Sequence, residues 1–329
     1  MNFNIQIASF IAAFIPIAVF VFLIRWMDRY DREPWQQIII TFLLGACFST
    51  LLSLVETSSI AILSKSLLTS EGQEFFITGL IAPLIEETNK GIFVILMAWL
   101  SKEFNNMTDG LVYGSVIGLG FAFSENIFYF YNIYNESGIF QWLEGVYARS
   151  FYTAGVHACS TAVFGGCIGY AKYTRFSHKI LMLIIGFSLA VMIHSFWNSF
   201  LTVSQITNDP FLAKLPFAIL PIICILLVVI LQFCLMRESE ILEIELTSES
   251  QNYQTLPIEH VAFIKSYINR SKNGWLSDNI SKKQYCAKTT ELAFLRQHYW
   301  RADEKNRHIL ELKMNKLRTE IQQLLSYSV

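Results

Sequence analysis

Seven stretches of this chain are each about as long and as apolar as a helix that crosses a bilayer, which takes roughly 20 residues. They are Ile5–Trp26, Gln37–Leu63, Phe75–Leu100, Gly110–Tyr131, Ser150–Ala171, Ile180–Val203 and Phe211–Met236. In hydrocarbon every backbone polar group must be satisfied within the protein, so only helices and closed barrels span. None of the seven runs alternates as a barrel strand does, so the fold class is all-α, a multi-pass transmembrane helical bundle. Composition agrees: charged residues are 16% of the chain, against about 25% in soluble domains. The first run is too long for a signal-peptide core and reads as a retained span.

The polar punctuation gives the orientation. Arg25, Arg29, Arg32, Lys102, Lys172, Arg175 and Lys179 follow the odd-numbered runs, whereas the opposite loops hold Lys65, Arg149 and Lys214. The basic-rich side faces the cytoplasm, which puts the amino terminus outside and the carboxyl terminus inside. Trp26, Trp35, Trp99 and Trp142 sit near run ends, where interfacial anchors belong. Pro83 precedes a pair of glutamates and is expected to loosen the helix there. Residues 1–236 form the membrane domain. Residues 237–329 hold 14 Lys+Arg and 12 Asp+Glu, a mixed-charge composition that reads as a small cytoplasmic helical tail. Within it Thr247–Thr255 reads as a flexible linker, and Leu256–Ile268 and Lys288–Leu325 have helical spacing. The net charge of −1 gives no basis for nucleic-acid binding. The six cysteines form no CxxC pair and read as small buried hydrophobes.

Against this background the spans carry costly residues. Span two holds Glu56. Span three holds Glu86, Glu87, Asn89 and Lys90, and span four holds Glu125 and Asn126. Span five holds His157, and span six holds His194 and Asn198. One ionisable residue at a helix centre costs roughly 2.5–3.5 kcal/mol on insertion scales. Counted inward from the outer run ends at roughly 1.5 Å per residue, these groups lie about 7 to 17 Å deep. A shared depth suggests one polar cavity in the outer half of the membrane domain. Glu86 and Lys90 are four residues apart and Glu87 and Lys90 three, so either carboxylate can meet the ammonium. Glu86 and Glu87 themselves point about 100° apart and are expected to do different jobs.

Several chemistries are open to such a set. A carboxylate withdrawn from water can exchange protons near neutral pH. A neutral imidazole binds metal or helps to activate water, and a side-chain amide can donate to a developing oxyanion. Together these are the parts for peptide-bond hydrolysis. No Ser-Lys catalytic arrangement or Gly-x-Ser-x-Gly motif is evident, and the His-Glu-x-x-His spacing is absent. The structural alternatives are a buried Glu86–Lys90 ion pair, an interhelical hydrogen bond at His157, and orienting roles for Glu56 and for Glu125 with Asn126.

The motifs Glu86-Glu87-x-x-Lys90, Phe121-x-x-x-Glu125-Asn126, His157 followed by Thr161, and His194-x-x-x-Asn198 resemble those of the PrsW family of intramembrane proteases. That family is related to the CAAX prenyl endopeptidase and bacteriocin-processing group. Asp31-Arg32-Glu33-Pro34 and Asp109-Gly110-x-x-Tyr113-Gly114-x-x-x-Gly118 resemble the family as well. The resemblance covers most of residues 20–205. It implies a multi-pass endopeptidase of the cell membrane, classed with metalloproteases, acting on a membrane-anchored protein such as an anti-sigma factor. By motif position, Glu86, Glu87, His157 and His194 are the expected catalytic or metal-binding set.

On that reading Glu86 activates water, with His157 and His194 holding a zinc ion or polarising the water directly. Glu86, His157 and His194 supply the three ligands a catalytic zinc needs. Glu87 serves as a ligand or orients Lys90, and Asn198 and Asn126 stabilise the oxyanion or the substrate backbone. Two other classes fit the residues: a proton-coupled transporter using them as a relay, and a non-enzymatic membrane scaffold. Cleavage of a single-span bait separates the first reading from both.

Overall fold

The apolar runs do fold as helices, and no strand is present among the described residues. The computed structural model describes residues 3–326 except 173 and 303. Its helices are α1 (Phe3–Met27), α2 (Trp35–Leu43), α3 (Thr50–Ser64), α4 (Ser70–Glu74), α5 (Ala82–Leu100), α6 (Met107–Ser137), α7 (Ile139–Ala148), α8 (Ala154–Ala171), α9 (Phe176–Thr207), α10 (Pro210–Tyr253), α11 (Ile258–Ile264), α12 (Tyr267–Arg270), α13 (Lys282–Arg301) and α14 (Glu304–Ser326). Wider π-helical turns join α2 to α3 (Leu44–Ser49), lead into α5 (Phe75–Ile81) and lead into α8 (Arg149–Thr153). The loosening expected at Pro83 therefore falls one turn before the glutamates, which sit in regular α-helix.

Among the described residues five helices are long and apolar enough to cross a membrane: Asn4–Met27, Trp35–Ser64, Met107–Ser137, Phe176–Thr207 and Pro210–Tyr253. The runs at 75–100 and 150–171 are also helical. What sets them apart is their polar content: Glu86, Glu87 and Lys90 on α5, and His157, Ser160, Thr161 and several glycines on α8. The chain is an all-α, multi-pass membrane protein. Large apolar side chains such as Phe10, Phe14, Leu51, Leu54, Ile222 and Ile225 are exposed along its helices, as a hydrocarbon solvent requires.

The chain folds into two compact units. One comprises Met1–Met27, Glu33–Lys172 and Phe176–Leu231; the other comprises Asp28–Arg32, Tyr173–Arg175 and Gln232–Val329. In the first, α6 is the central helix, and it meets α8 along a seam of glycines. A methyl group on Gly110 would overlap the Gly165 carbonyl, one on Gly114 the Thr161 carbonyl, and one on Gly118 the His157 carbonyl. Helices in lipid gain little from burying apolar surface, so close backbone approach through small residues holds them together. The four-residue spacing of these glycines is thus a packing device that sets the height and rotation of His157 against α6.

The amino-terminal end of α6, where this seam begins, is also fastened by polar contacts. Asn106 caps the helix by accepting from the Asp109 amide at 3.1 Å, while Asp109 Oδ2 accepts from the Asn106 amide at 3.0 Å. The buried Tyr113 hydroxyl donates to the buried Glu33 carboxylate, and Arg25 Nε donates to the Glu33 carbonyl at 2.7 Å. Glu33, just before α2, therefore ties the start of that helix to α6.

The second unit has a core of its own, built from Leu242, Leu246, Leu256, Val261, Ile264, Trp275, Tyr285, Leu292 and Leu317 among others. Its ionic centre is Glu249, fully buried, which accepts from Thr255 (2.8 Å), from Arg318 (2.6 and 3.0 Å) and from Arg296. The sequence expectation is corrected here in two places. Thr247–Tyr253 is the last part of α10 rather than a flexible linker, because Leu246 and Glu249 are built into the core and the ion network. The helical spacing over 288–325 belongs to two helices, α13 and α14.

Candidate active site

Four helices of the first unit deliver the costly side chains to one place. The sequence put Glu86 and Glu87 on different sides of α5, and they have different surroundings. Glu87 is 1% exposed and saturated with donors. Its Oε1 lies 2.7 Å from Lys90 Nζ, 2.9 Å from Ser160 Oγ and 2.9 Å from His194 Nδ1, and its Oε2 accepts from Thr161 Oγ1 at 3.0 Å. Glu86 is 12% exposed, and its buried Oε2 has no hydrogen-bond partner. That oxygen lies 3.7 Å from Lys90 Nζ, 3.7 Å from His194 Nε2 and 3.9 Å from His157 Nδ1.

The partners fix the imidazole tautomers. His194 Nδ1 faces the Glu87 carboxylate, so it carries the proton and leaves the Nε2 lone pair toward Glu86. His157 Nδ1 is 2.9 Å from the Lys90 ammonium, a donor, so Nδ1 accepts and Nε2 donates to Glu125 Oε2 at 2.9 Å. Both histidines are buried and each has a carboxylate behind it, the arrangement that orients imidazoles for metal binding. Their rings meet edge to face at 4.7 Å between centroids. Phe121 closes one side, 5.1 Å from the His157 ring and 4.3 Å from Lys90 Nζ.

One ligand atom each from Glu86, His157 and His194 lie within 4.8 Å of one another. Bonds of about 2.0–2.1 Å in a tetrahedral site place ligand atoms about 3.4 Å apart, so the 3.7 and 3.9 Å separations are only a few tenths of an ångström too wide. The carboxylate oxygen without a donor, the free His194 Nε2 lone pair and the His157 Nδ1 lone pair, which Lys90 holds, form a donor set that suits a divalent metal of the zinc type. Lys90 places a positive charge at the same three residues. For a second cation to bind, its contact with His157 has to yield while its pairing with Glu87 persists.

The remaining expected residues are arranged as follows. Glu125 is at the cluster through His157. Asn126 is fully buried beside it: its Oδ1 accepts from Arg149 Nε at 3.0 Å, and its Nδ2 has no hydrogen-bond partner. Asn198 is directed elsewhere, donating from Nδ2 to the Thr78 carbonyl at 3.0 Å, and Ser199 Oγ donates to the Gly79 carbonyl at 3.1 Å. The π-helical turn at 75–81 alters the local hydrogen-bond ladder, and these two α9 side chains bond carbonyls there. Glu56 stands apart, accepting from Asn89 Nδ2 at 2.8 Å. Sequence reading missed Ser160 as a Glu87 donor and read Arg149 only as a loop cation. The available signal for Arg149 was a basic residue on the side poor in them, eight residues before His157.

Residues 33–231 match the family described as PrsW family intramembrane metalloprotease. Curated relatives named Protease PrsW include three bacterial proteins. That of Clostridioides difficile (strain 630) is 34% identical over 128 residues, which is 39% of this chain and 51% of that protein. That of Bacillus subtilis (strain 168) is 25% identical over 175 residues, 53% of this chain and 74% of that protein. That of Shouchella clausii (strain KSM-K16) is 23% identical over 215 residues, 65% of this chain and 92% of that protein. The match therefore spans about half the length of the first of these relatives. No solved structure matches the chain.

Proposed function

Because the chain belongs to the PrsW family of intramembrane metalloproteases, we propose that it is an endopeptidase that hydrolyses a peptide bond of a membrane-anchored protein near the extracytoplasmic face. The seven apolar runs cross the cell membrane with the amino terminus outside, as the distribution of Lys and Arg favours, and residues 237–329 lie in the cytoplasm. A single-span protein of the anti-sigma-factor type is the substrate class.

The observation that carries the proposal is the Glu86 carboxylate oxygen, buried, without a donor, 3.7 Å from the free lone pair of His194 Nε2 and 3.9 Å from His157 Nδ1, whose lone pair Lys90 holds. An oxygen with no donor to satisfy it keeps its full capacity to accept a proton from water. We assign Glu86, His157 and His194 to hold zinc, with the Glu86 carboxylate also taking the proton of the attacking water. Bound zinc supplies a Lewis acid for the scissile carbonyl and makes water a stronger nucleophile at neutral pH. Glu87 holds the His194 tautomer and pairs with Lys90, and Glu125 holds the His157 tautomer. The free Nδ2 of Asn126 is the donor for the oxyanion or the substrate backbone. Asn198 takes a supporting role, fastening α9 to the turn at 75–81.

The test is cleavage of a single-span bait protein by the purified protein in nanodiscs, with metal content measured before and after chelation. Wild type is expected to contain close to one zinc per chain, to cut the bait, and to lose both properties on chelation. Glu86→Gln, His157→Ala and His194→Ala are each expected to abolish cleavage while remaining folded. Full activity in Glu86→Gln would overturn the assignment, and undiminished cleavage by metal-free protein would remove the zinc.

A further inference from the structure

Arg149 opens the π-helical turn that joins α7 to α8, at the outer edge of the apolar run. A π turn takes about one residue more than an α turn, so it rotates Arg149 by roughly 100° relative to an uninterrupted helix. The side chain does not extend into solvent. It is 15% exposed, and its guanidinium stacks 3.5 Å from the Tyr129 ring centroid. From there it reaches two consecutive residues of α6: Nη2 donates to Glu125 Oε2 at 2.7 Å and Nε donates to Asn126 Oδ1 at 3.0 Å.

Both acceptors matter for the site. Glu125 Oε2 is the same oxygen that accepts from His157 Nε2 at 2.9 Å. One atom is thus held between a fixed cation and the imidazole, and displacing the cation displaces the partner that sets the imidazole's tautomer and rotation. Asn126 is an amide whose oxygen and nitrogen ends can exchange by a flip. With Oδ1 committed to the guanidinium, Nδ2 is left as a buried donor without an acceptor. The guanidinium's rigid fork suits this double task, which a lysine ammonium performs less well.

We propose that Arg149 is a positioning residue of the active site: it fixes Glu125 against His157 and turns the Asn126 amide so that its donor is free for the oxyanion that develops in the transition state. The inference rests on the protease reading of this site. It assigns Arg149 no contact with the reacting atoms, and its effect is therefore on turnover rather than on substrate binding.

Steady-state cleavage of the bait that wild type cuts tests it. Arg149→Ala is expected to lower kcat about 10- to 100-fold, the range for residues that orient metal-site ligands, with KM changed by no more than about twofold. Arg149→Lys is expected to fall in between, because the ammonium can pair with Glu125 but cannot hold both acceptors in one plane. The combined loss in Arg149→Ala/Glu125→Gln is expected to be smaller than the product of the two single losses, since both act through one oxygen. If Arg149→Ala does not survive extraction, the same kcat and KM comparison is made with Arg149→Lys. Wild-type turnover in the Arg149 variant, beside an inactive Glu86→Gln, overturns this inference and leaves the protease reading intact. A raised KM at unchanged kcat overturns it in favour of a substrate contact, and fully multiplicative losses remove the coupling through Glu125. An active Glu86→Gln removes the protease reading, and this inference with it.

Discussion

Glu86 and Glu87 are neighbours in sequence with opposite energetic situations, and substituting each by alanine separates the two. Glu87 is 1% exposed and accepts from Lys90, Ser160, His194 and Thr161 at 2.7 to 3.0 Å. Removing it leaves a buried ammonium without its nearest counter-charge, and breaking a buried pair in this way costs about 3–5 kcal/mol. Thr161 and His194 Nδ1 also lose an acceptor, whereas Ser160 keeps the His157 carbonyl at 3.2 Å and Lys90 keeps His157 Nδ1 at 2.9 Å. These retained contacts argue for staying within that range rather than adding to it. At about 2–4 °C per kcal/mol for a domain of this size, Glu87→Ala is expected to melt about 6–20 °C below wild type. Glu86→Ala removes an oxygen that accepts no hydrogen bond and lies 3.7 Å from Lys90, against 2.7 Å for Glu87. A shift of no more than about 1 kcal/mol is expected, within about 4 °C of wild type, together with complete loss of cleavage. The assay is thermal unfolding of the full chain in one detergent, followed by intrinsic fluorescence, beside cleavage of the single-span bait. Equal melting temperatures for the two variants, in either direction, would refute the division of labour.

Two further outcomes check the frame around the site. Gly118→Ala forces a methyl group onto the His157 carbonyl and is expected to lower cleavage at least tenfold by displacing His157, whereas Gly138→Ala, where the space is open but a φ of 86° strains the alanine, is expected to lower stability and leave the cleavage rate per folded molecule unchanged; equal rates in both variants would show that the α6–α8 seam does not set the site. In the carboxyl-terminal unit burial holds His260 below its ordinary value of 6.5, with the Glu259 carboxylate opposing, and its Nδ1 lies 2.8 Å from the Tyr285 hydroxyl. The fold therefore favours the neutral ring, so its contribution is complete above pH 6.5 and is lost as pH falls below it. Limited proteolysis of residues 232–329 is expected to speed up between pH 7.5 and 5.5 in wild type and to be flatter in His260→Gln, and a rate that slows on acidification would contradict the sign.

The helices were legible because a bilayer leaves so few alternatives. Run length and apolarity mark them whatever their neighbours are, and a glutamate in such a run signals its own cost. What the sequence could not carry is which neighbour a side chain meets. The four-residue spacing of His194 and Asn198 places them on one face of α9, yet only His194 reaches the carboxylates. Asn198 is drawn to the Thr78 carbonyl at a π-helical turn, and nothing in the composition of residues 75–81 announces that turn. The stretch 247–255 reads as flexible because it is rich in Ser, Thr, Glu and Gln, but Glu249 draws Arg296 and Arg318 from helices far along the chain. Arg149 was legible only as a loop cation, since its importance comes from a helix rotation and not from its place in sequence.

The site itself follows from how charge is shared out in an apolar frame. Glu87 pairs with Lys90, and Glu125 with Arg149. Each of these two carboxylates also takes the N–H of one histidine, so each pair both neutralises itself and fixes an imidazole. With both cations committed at 2.7 Å, the third carboxylate has none at hydrogen-bonding distance. Its Oε2 is left beside the two ring nitrogens that the other carboxylates have turned inward, His194 Nε2 with its lone pair free and His157 Nδ1 with its lone pair on Lys90. A cluster kept only for stability would gain by giving Glu86 a donor, yet the two nearest on its own helix are turned elsewhere, Thr88 to the Leu84 carbonyl and Asn89 to Ser53 and Glu56. An unsatisfied buried oxygen costs about 1–3 kcal/mol. Its persistence at the convergence of two oriented imidazoles is what a site for water activation requires and what a structural ion pair does not.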